Sequence, residues 1–97
     1  MSGERRYRVS DRALLTELGD GTGVLLDLDS KFYFTLNDTA IFVWKLLSAR
    51  TTLSREQLAT ELTGAFQVDA EKALVDVDAV LDVLARERLV TISADAP

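Results

Sequence analysis

Residues 31–48 read KFYFTLNDTAIFVWKLLS, and within them the hydrophobic period changes once. Up to Leu36 the stretch is rich in aromatic and β-branched residues. Alternation sets Phe32, Phe34 and Leu36 on one face of a strand and Lys31, Tyr33 and Thr35 on the other. From Ala40 onward the apolar residues Ala40, Ile41, Trp44 and Leu47 recur at helical spacing. Asn37 stands at the change. Its side-chain oxygen is a good acceptor for the free amides of a first helical turn, and Asp38 places an anion where the helix dipole favours one. The stretch predicts a strand over 31–36 running directly into a helix over 38–48.

Upstream of this junction the chain reads as strands. Residues 13–18 (ALLTEL) and 24–28 (VLLDL) are strand candidates, separated by the turn Gly19-Asp20-Gly21-Thr22-Gly23. Asp29-Ser30 reads as a two-residue hairpin connection into the strand over 31–36. The economical arrangement is a three-stranded antiparallel meander whose apolar face is covered by the downstream part of the chain. Ahead of it, Arg5, Arg6, Arg8 and Arg12 read as a basic, solubilising N-terminal tail.

Downstream the chain reads as helices. Ser54 and Gln57 form a capping box, with Leu53 and Leu58 at the positions of a hydrophobic staple. Leu58, Ala59, Leu62 and Phe66 are the apolar side of this second helix, and Gly64 marks its end. Asp69 caps a third helix over 70–87, whose core stripe is Leu74, Val77, Leu81 and Leu84. Residues 89–92 suit a short final strand or an extended arm, and 93–97 a frayed tail. The fold class is therefore α+β, in one domain over residues 1–97 with its core at about 7–92.

Composition narrows the chemistry. The 97 residues contain no Cys and no His, which excludes disulfides, Cys/His zinc sites and every Ser-His-Asp or Cys-His catalytic set. The net charge is -5, so the chain as a whole repels phosphate and disfavours nucleic acid, with the position of its 11 basic residues left to decide whether a local patch forms. Neither a secretory signal nor a run of about 20 apolar residues is present, and the chain is read as cytoplasmic. Asp27 and Asp29 share a solvated strand face and are too few for a metal site. GDGTG lacks the Lys-Ser/Thr of a P-loop and precedes a strand, so it is a turn. No cofactor, metal or catalytic group is expected. Trp44 is read as core.

Two features exceed what a core needs. In the third helix Val75, Ala79, Val80 and Val83 lie on the flank and back, interleaved with Asp76, Asp78 and Asp82. Either the helix is central and touches neighbours on two sides, or a groove beside it is apolar at its base and acidic at its rim. The strand over 31–36 is the second feature. In a sequential meander it is an edge, with one Lys, no Pro and no bulge to guard it. Either a tail, the 89–92 segment or a second copy covers it, or it accepts a peptide as an added strand.

Residues 24–92 resemble the PqqD-like family, the RiPP recognition elements. The pattern is Phe34-Thr35-Leu36-Asn37 leading to Ala40 and Trp44, then Leu53-Ser54-Arg55-Glu56-Gln57-Leu58, then Val68-Asp69 and Leu89-Val90. Arg88 departs from it, standing where the family usually has Gly. The resemblance implies a winged-helix-like fold, a three-stranded antiparallel sheet packed on a three-helix bundle. It implies a non-catalytic adaptor that binds the leader segment of a ribosomally made precursor peptide and presents it to a modifying enzyme or a leader peptidase, as in pyrroloquinoline quinone and lasso-peptide pathways. The leader would add as a strand to the third strand and rest on the third helix. The residues so implicated are Lys31, Phe32, Tyr33, Phe34 and Thr35 on the strand, with Val75, Asp76, Asp78, Ala79, Asp82 and Val83 on the helix. The competing reading is a winged-helix DNA-binding protein, which needs a basic recognition helix. The longest helix sets Asp69, Glu71, Asp76, Asp78, Asp82 and Glu87 against Lys72, Arg86 and Arg88.

Overall fold

At Asn37 the backbone is extended and its side chain accepts the Ala40 amide at 2.9 Å, so strand β4 (Tyr33–Leu36) ends and helix α1 (Asp38–Ala49) begins where the hydrophobic period changes. The computed structural model describes residues 5–50 and 52–94. Around this junction stand β1 (Arg5–Val9), β2 (Ala13–Glu17), β3 (Gly23–Asp27), α2 (Arg55–Phe66), α3 (Ala70–Arg86) and β5 (Val90–Ala94). The class is α+β, as expected. β2, β3 and β4 form the antiparallel meander, and α1 packs on β4 and on the other two helices. In the turn between β2 and β3, Gly19 and Gly21 take positive φ, the region open to glycine. Gly23 lies under α1: a Cβ there would stand 3.1 Å from Ile41 Cδ1, so the sheet's approach to the helix depends on its absence.

The helix starts follow the sequence. Ser54 Oγ accepts the Gln57 amide at 3.1 Å and Gln57 Oε1 accepts the Ser54 amide at 2.9 Å, closing the capping box between the buried Leu53 and Leu58. Asp69 accepts the Lys72 amide at 2.8 Å and starts α3. The core joins Leu25 and Leu36 of the sheet to Val43, Trp44 and Leu47 of α1, Leu58 and Leu62 of α2, and Val77, Leu81 and Leu84 of α3.

The ends and connections differ from expectation. Gly64 lies inside α2, which runs to Phe66 and stops at Gln67, a residue with φ of 54°. α3 ends in a Schellman turn: the Leu89 amide donates to Leu84 O at 2.8 Å and the Arg88 amide to Ala85 O at 3.1 Å, with Arg88 at φ 61°. Ala73, not Leu74, completes the buried stripe of α3; Leu74 is half-buried. The β3–β4 connection spans the five residues from Leu28 to Phe32, not two. The Lys31 amide donates to Asp27 O at 2.8 Å, and Lys31 takes φ of 67°. Asp27 is not on a solvated face. It is 7% exposed, and its carboxylate accepts the Asp29 amide at 3.0 Å, which holds the carboxyl below its ordinary range and braces the turn.

The largest difference is at the N-terminus. The arginine-rich segment is a strand, not a tail. β1 pairs antiparallel with β5, Tyr7 facing Ile92 and Val9 facing Val90, in a separate two-stranded ribbon. Tyr7 is 7% exposed and bridges to Leu53 on its other side. The expected final strand over 89–92 is thus β5, which includes Ser93 and Ala94 of the predicted frayed tail; residues 95–97 of that tail lie outside the described residues.

Candidate functional site

Two hydrogen bonds set the phase of the meander. The Asp27 amide donates to Phe32 O at 2.9 Å, and the Leu28 amide donates to Arg12 O at 2.8 Å. In an antiparallel ladder the bonded pairs alternate, so Leu25 and Gly23 bond to Phe34 and Leu36 across the β3–β4 register. Tyr33 and Thr35 therefore point their N–H and C=O away from β3. The sheet order is β2-β3-β4, and among the described residues no strand pairs with this second edge of β4; β5, one candidate cover, lies on β1.

The side chains of the predicted strand residues divide. Leu36 is buried and Phe34 half-buried against the core. Tyr33, at 71% exposure, and Thr35 stand on the outer face, opposite Leu26 and Val24. Lys31 and Phe32 precede the strand: Lys31 is the left-handed turn residue, and Phe32 is 69% exposed at the foot of the edge.

The sequence reading missed the rest of that outer face. The register sets Leu14, Leu26 and Tyr33 in one row across the three strands, and Thr16, Val24 and Thr35 in the next. The doublets Leu14-Leu15 and Leu25-Leu26 carried the signal, since adjacent leucines in a strand face opposite sides.

On α3 the predicted residues cover nearly half the circumference at 100° per residue. Asp78 lies toward α2, where Arg55 Nε meets its Oδ1 at 2.6 Å and Arg55 Nη2 its Oδ2 at 2.7 Å. This bidentate pair holds the Asp78 carboxyl below its ordinary range and pushes the Arg55 guanidinium up. Val75, Ala79 and Asp82 occupy the back of the helix, with Val75 66% exposed. Asp76 and Val83 lie on the flank opposite Asp78. The three acids do not form one rim, and each has a basic partner: Lys72 for Asp76 at 3.3 Å, Arg55 for Asp78, and Arg86 for Asp82. α3 packs on α2, α1 and β5, whereas β4 packs on β3 and α1. α3 carries Glu71, Asp76, Asp78 and Asp82 against Lys72 and Arg86, the opposite of the basic helix that DNA recognition needs.

The chain belongs to the PqqD family: the family model "Coenzyme PQQ synthesis protein D (PqqD)" matches residues 22–90. Two similar solved structures are complexes. TbiB1 in complex with the TbiA(beta) leader peptide is 26% identical, covering 91% of this chain and 99% of that one, with a TM-score of 0.75. Lasso peptide synthetase B1 complexed with the leader peptide is 29% identical, covering 88% and 96%, with a TM-score of 0.67. The PqqD truncation of Methylobacterium extorquens PqqCD, a stand-alone RiPP recognition element, shares the fold at 24% identity, covering 89% and 88%, with a TM-score of 0.71. No curated protein matches the chain. No helix among the described residues is long and apolar enough to cross a membrane.

Proposed function

We propose that this chain is a non-catalytic, cofactor-free adaptor that captures the leader segment of a ribosomally made precursor peptide and presents it, in the cytoplasm, to a modifying enzyme or leader peptidase. The observation that carries this reading is the outward backbone of Tyr33 and Thr35 on an uncovered strand, in a fold whose similar structures include two leader complexes. The leader adds to β4 antiparallel or parallel as a fourth strand, taking its main-chain bonds from Tyr33 and Thr35. Phe32 and Lys31 meet one end of it. Val83, Ala79 and Asp76 offer the helix-side contact, with Val83 46% exposed. Val75, Asp78 and Asp82 lie farther round α3 and contribute less. The lasso-type precursor is the favoured class, because one of the similar complexes is a lasso peptide synthetase component.

The test is amide hydrogen exchange of the labelled chain, with and without leader peptides of precursors encoded beside its gene. Protection is expected at Tyr33 and Thr35, with little change at Phe34. Binding that leaves both outward amides unprotected refutes strand addition.

A further inference from the structure

A separate concavity of about 760 Å3 opens between β1, the β1–β2 turn, the C-terminal end of α1 and the start of β5. Arg8, Arg12 and Arg88 line it, with Ser10 and Thr91 among them. Arg12 leads into β2, which lies on the far side of β3 from β4, so about 10 Å of sheet separates this concavity from the open edge.

Three observations set it apart from ordinary solvated surface. Lys45 and Arg50 on α1 and its C-cap, Arg55 on α2, and Lys72 and Arg86 on α3 all have carboxylate partners. Among the described residues Arg8 and Arg88 have none, and Arg12 shares its guanidinium with the exposed Asp29 at 3.2 Å. Arg88 also holds a left-handed backbone, φ 61°, at a turn position where glycine would be unstrained. Finally, this basic surface belongs to a chain of net charge -5, in which α3 carries the opposite sign.

We propose that the concavity is a second docking site, which takes a carboxylate-rich segment of a protein partner. Arg8 and Arg88 supply guanidinium forks that match carboxylates, Arg12 is released from Asp29 to join them, and the Ser10 and Thr91 hydroxyls complete the hydrogen bonding. A short acidic segment needs only the concavity. A long polyphosphate would also meet the field of the acidic chain, which disfavours nucleic acid. The site is independent of β4, so a partner can dock while a strand is held at the open edge. It stands whether or not the leader reading holds.

The experiment is an NMR titration of the labelled chain with hexaglutamate, with inorganic phosphate and a single-stranded oligonucleotide in parallel arms. Shifts are expected around residues 8–12 and 88–91, weakening with salt. The double variant Arg8→Glu/Arg88→Glu changes two exposed side chains and should lose about tenfold in affinity while keeping its circular dichroism. Asp11→Asn, which removes the carboxylate of the lining, should tighten binding about twofold. The proposal is overturned if hexaglutamate leaves these residues unmoved or binds the folded double variant as well as the parent. It is equally overturned if phosphate alone binds as tightly or the oligonucleotide binds more tightly.

Discussion

β1 and β4 are both short strands packed on α1, and their edges are treated in opposite ways. β1 is bonded along β5 on one side, and on the other the Tyr7 amide donates to Leu53 O at 2.8 Å while the Leu53 amide donates to Tyr7 O at 3.2 Å. Among the described residues β4 is bonded on one side only. The difference follows burial. Tyr7 lies in the core, where an unpaired N–H or C=O has no water to replace its partner. The outward groups of Tyr33 and Thr35 are at the surface, where water satisfies them until a better-matched strand arrives. A buried edge has to be closed by the chain itself; an exposed edge is free to be closed by something else.

The sharpest way to break this comparison is truncation at the two tyrosines. Tyr7→Ala should cost about 3–5 kcal/mol, as loss of a large buried side chain does, whereas Tyr33→Ala should stay within about 0.5 kcal/mol. Chemical denaturation measures both; equal losses would mean that β4 is as integral to the core as β1. Proline substitution probes the backbone itself. Phe34→Pro removes a donor bonded to β3 and should cost about 1–3 kcal/mol. Thr35→Pro removes one that points outward, so the melting temperature should hold while leader affinity falls by about tenfold. A Thr35→Pro protein that melts early instead would place that amide in the ladder.

Gly64→Ala separates stability from the edge. The site lies in α2 with open space around it, so the gain should be about 0.5–1 kcal/mol with leader affinity unchanged. A change in affinity on thermal or urea-matched comparison would show that the edge responds to global stability. The smallest effect is that of acid. The Asp27 carboxyl is lowered first by the Asp29 amide, then by Ser30 and Arg12. With the folded value below the unfolded one, its contribution is present above about pH 4 and fades as pH falls through the folded value. Cross-strand NMR contacts between Leu26 and Tyr33 should therefore weaken at acid pH before those between Tyr7 and Ile92. Loss in the reverse order would show that the turn does not hold the β3–β4 hairpin.

The sequence alone determined the parts of this protein that depend on neighbours a few residues away. The period change at Asn37, the capping box at Ser54 and Gln57 and the Asp69 cap are local, and each stands in the structure at the expected residue; the edge strand predicted from Lys31 starts two residues later, at Tyr33. Tertiary structure decided what depends on distant partners. RRYRV is mostly arginine and becomes β1 only because β5, more than eighty residues later, offers it a ladder and the core takes Tyr7. Besides Gly19 and Gly21, the left-handed positions fall at Lys31, Gln67 and Arg88 instead of at Gly64, because packing sets where each helix or hairpin stops, and these residues tolerate the strain. The outward phase of Thr35 rests on the pairing of Asp27 with Phe32, and the division of the α3 residues rests on where α2 and Arg55 lie. Local periodicity gives a face to each residue; it does not say what that face will meet.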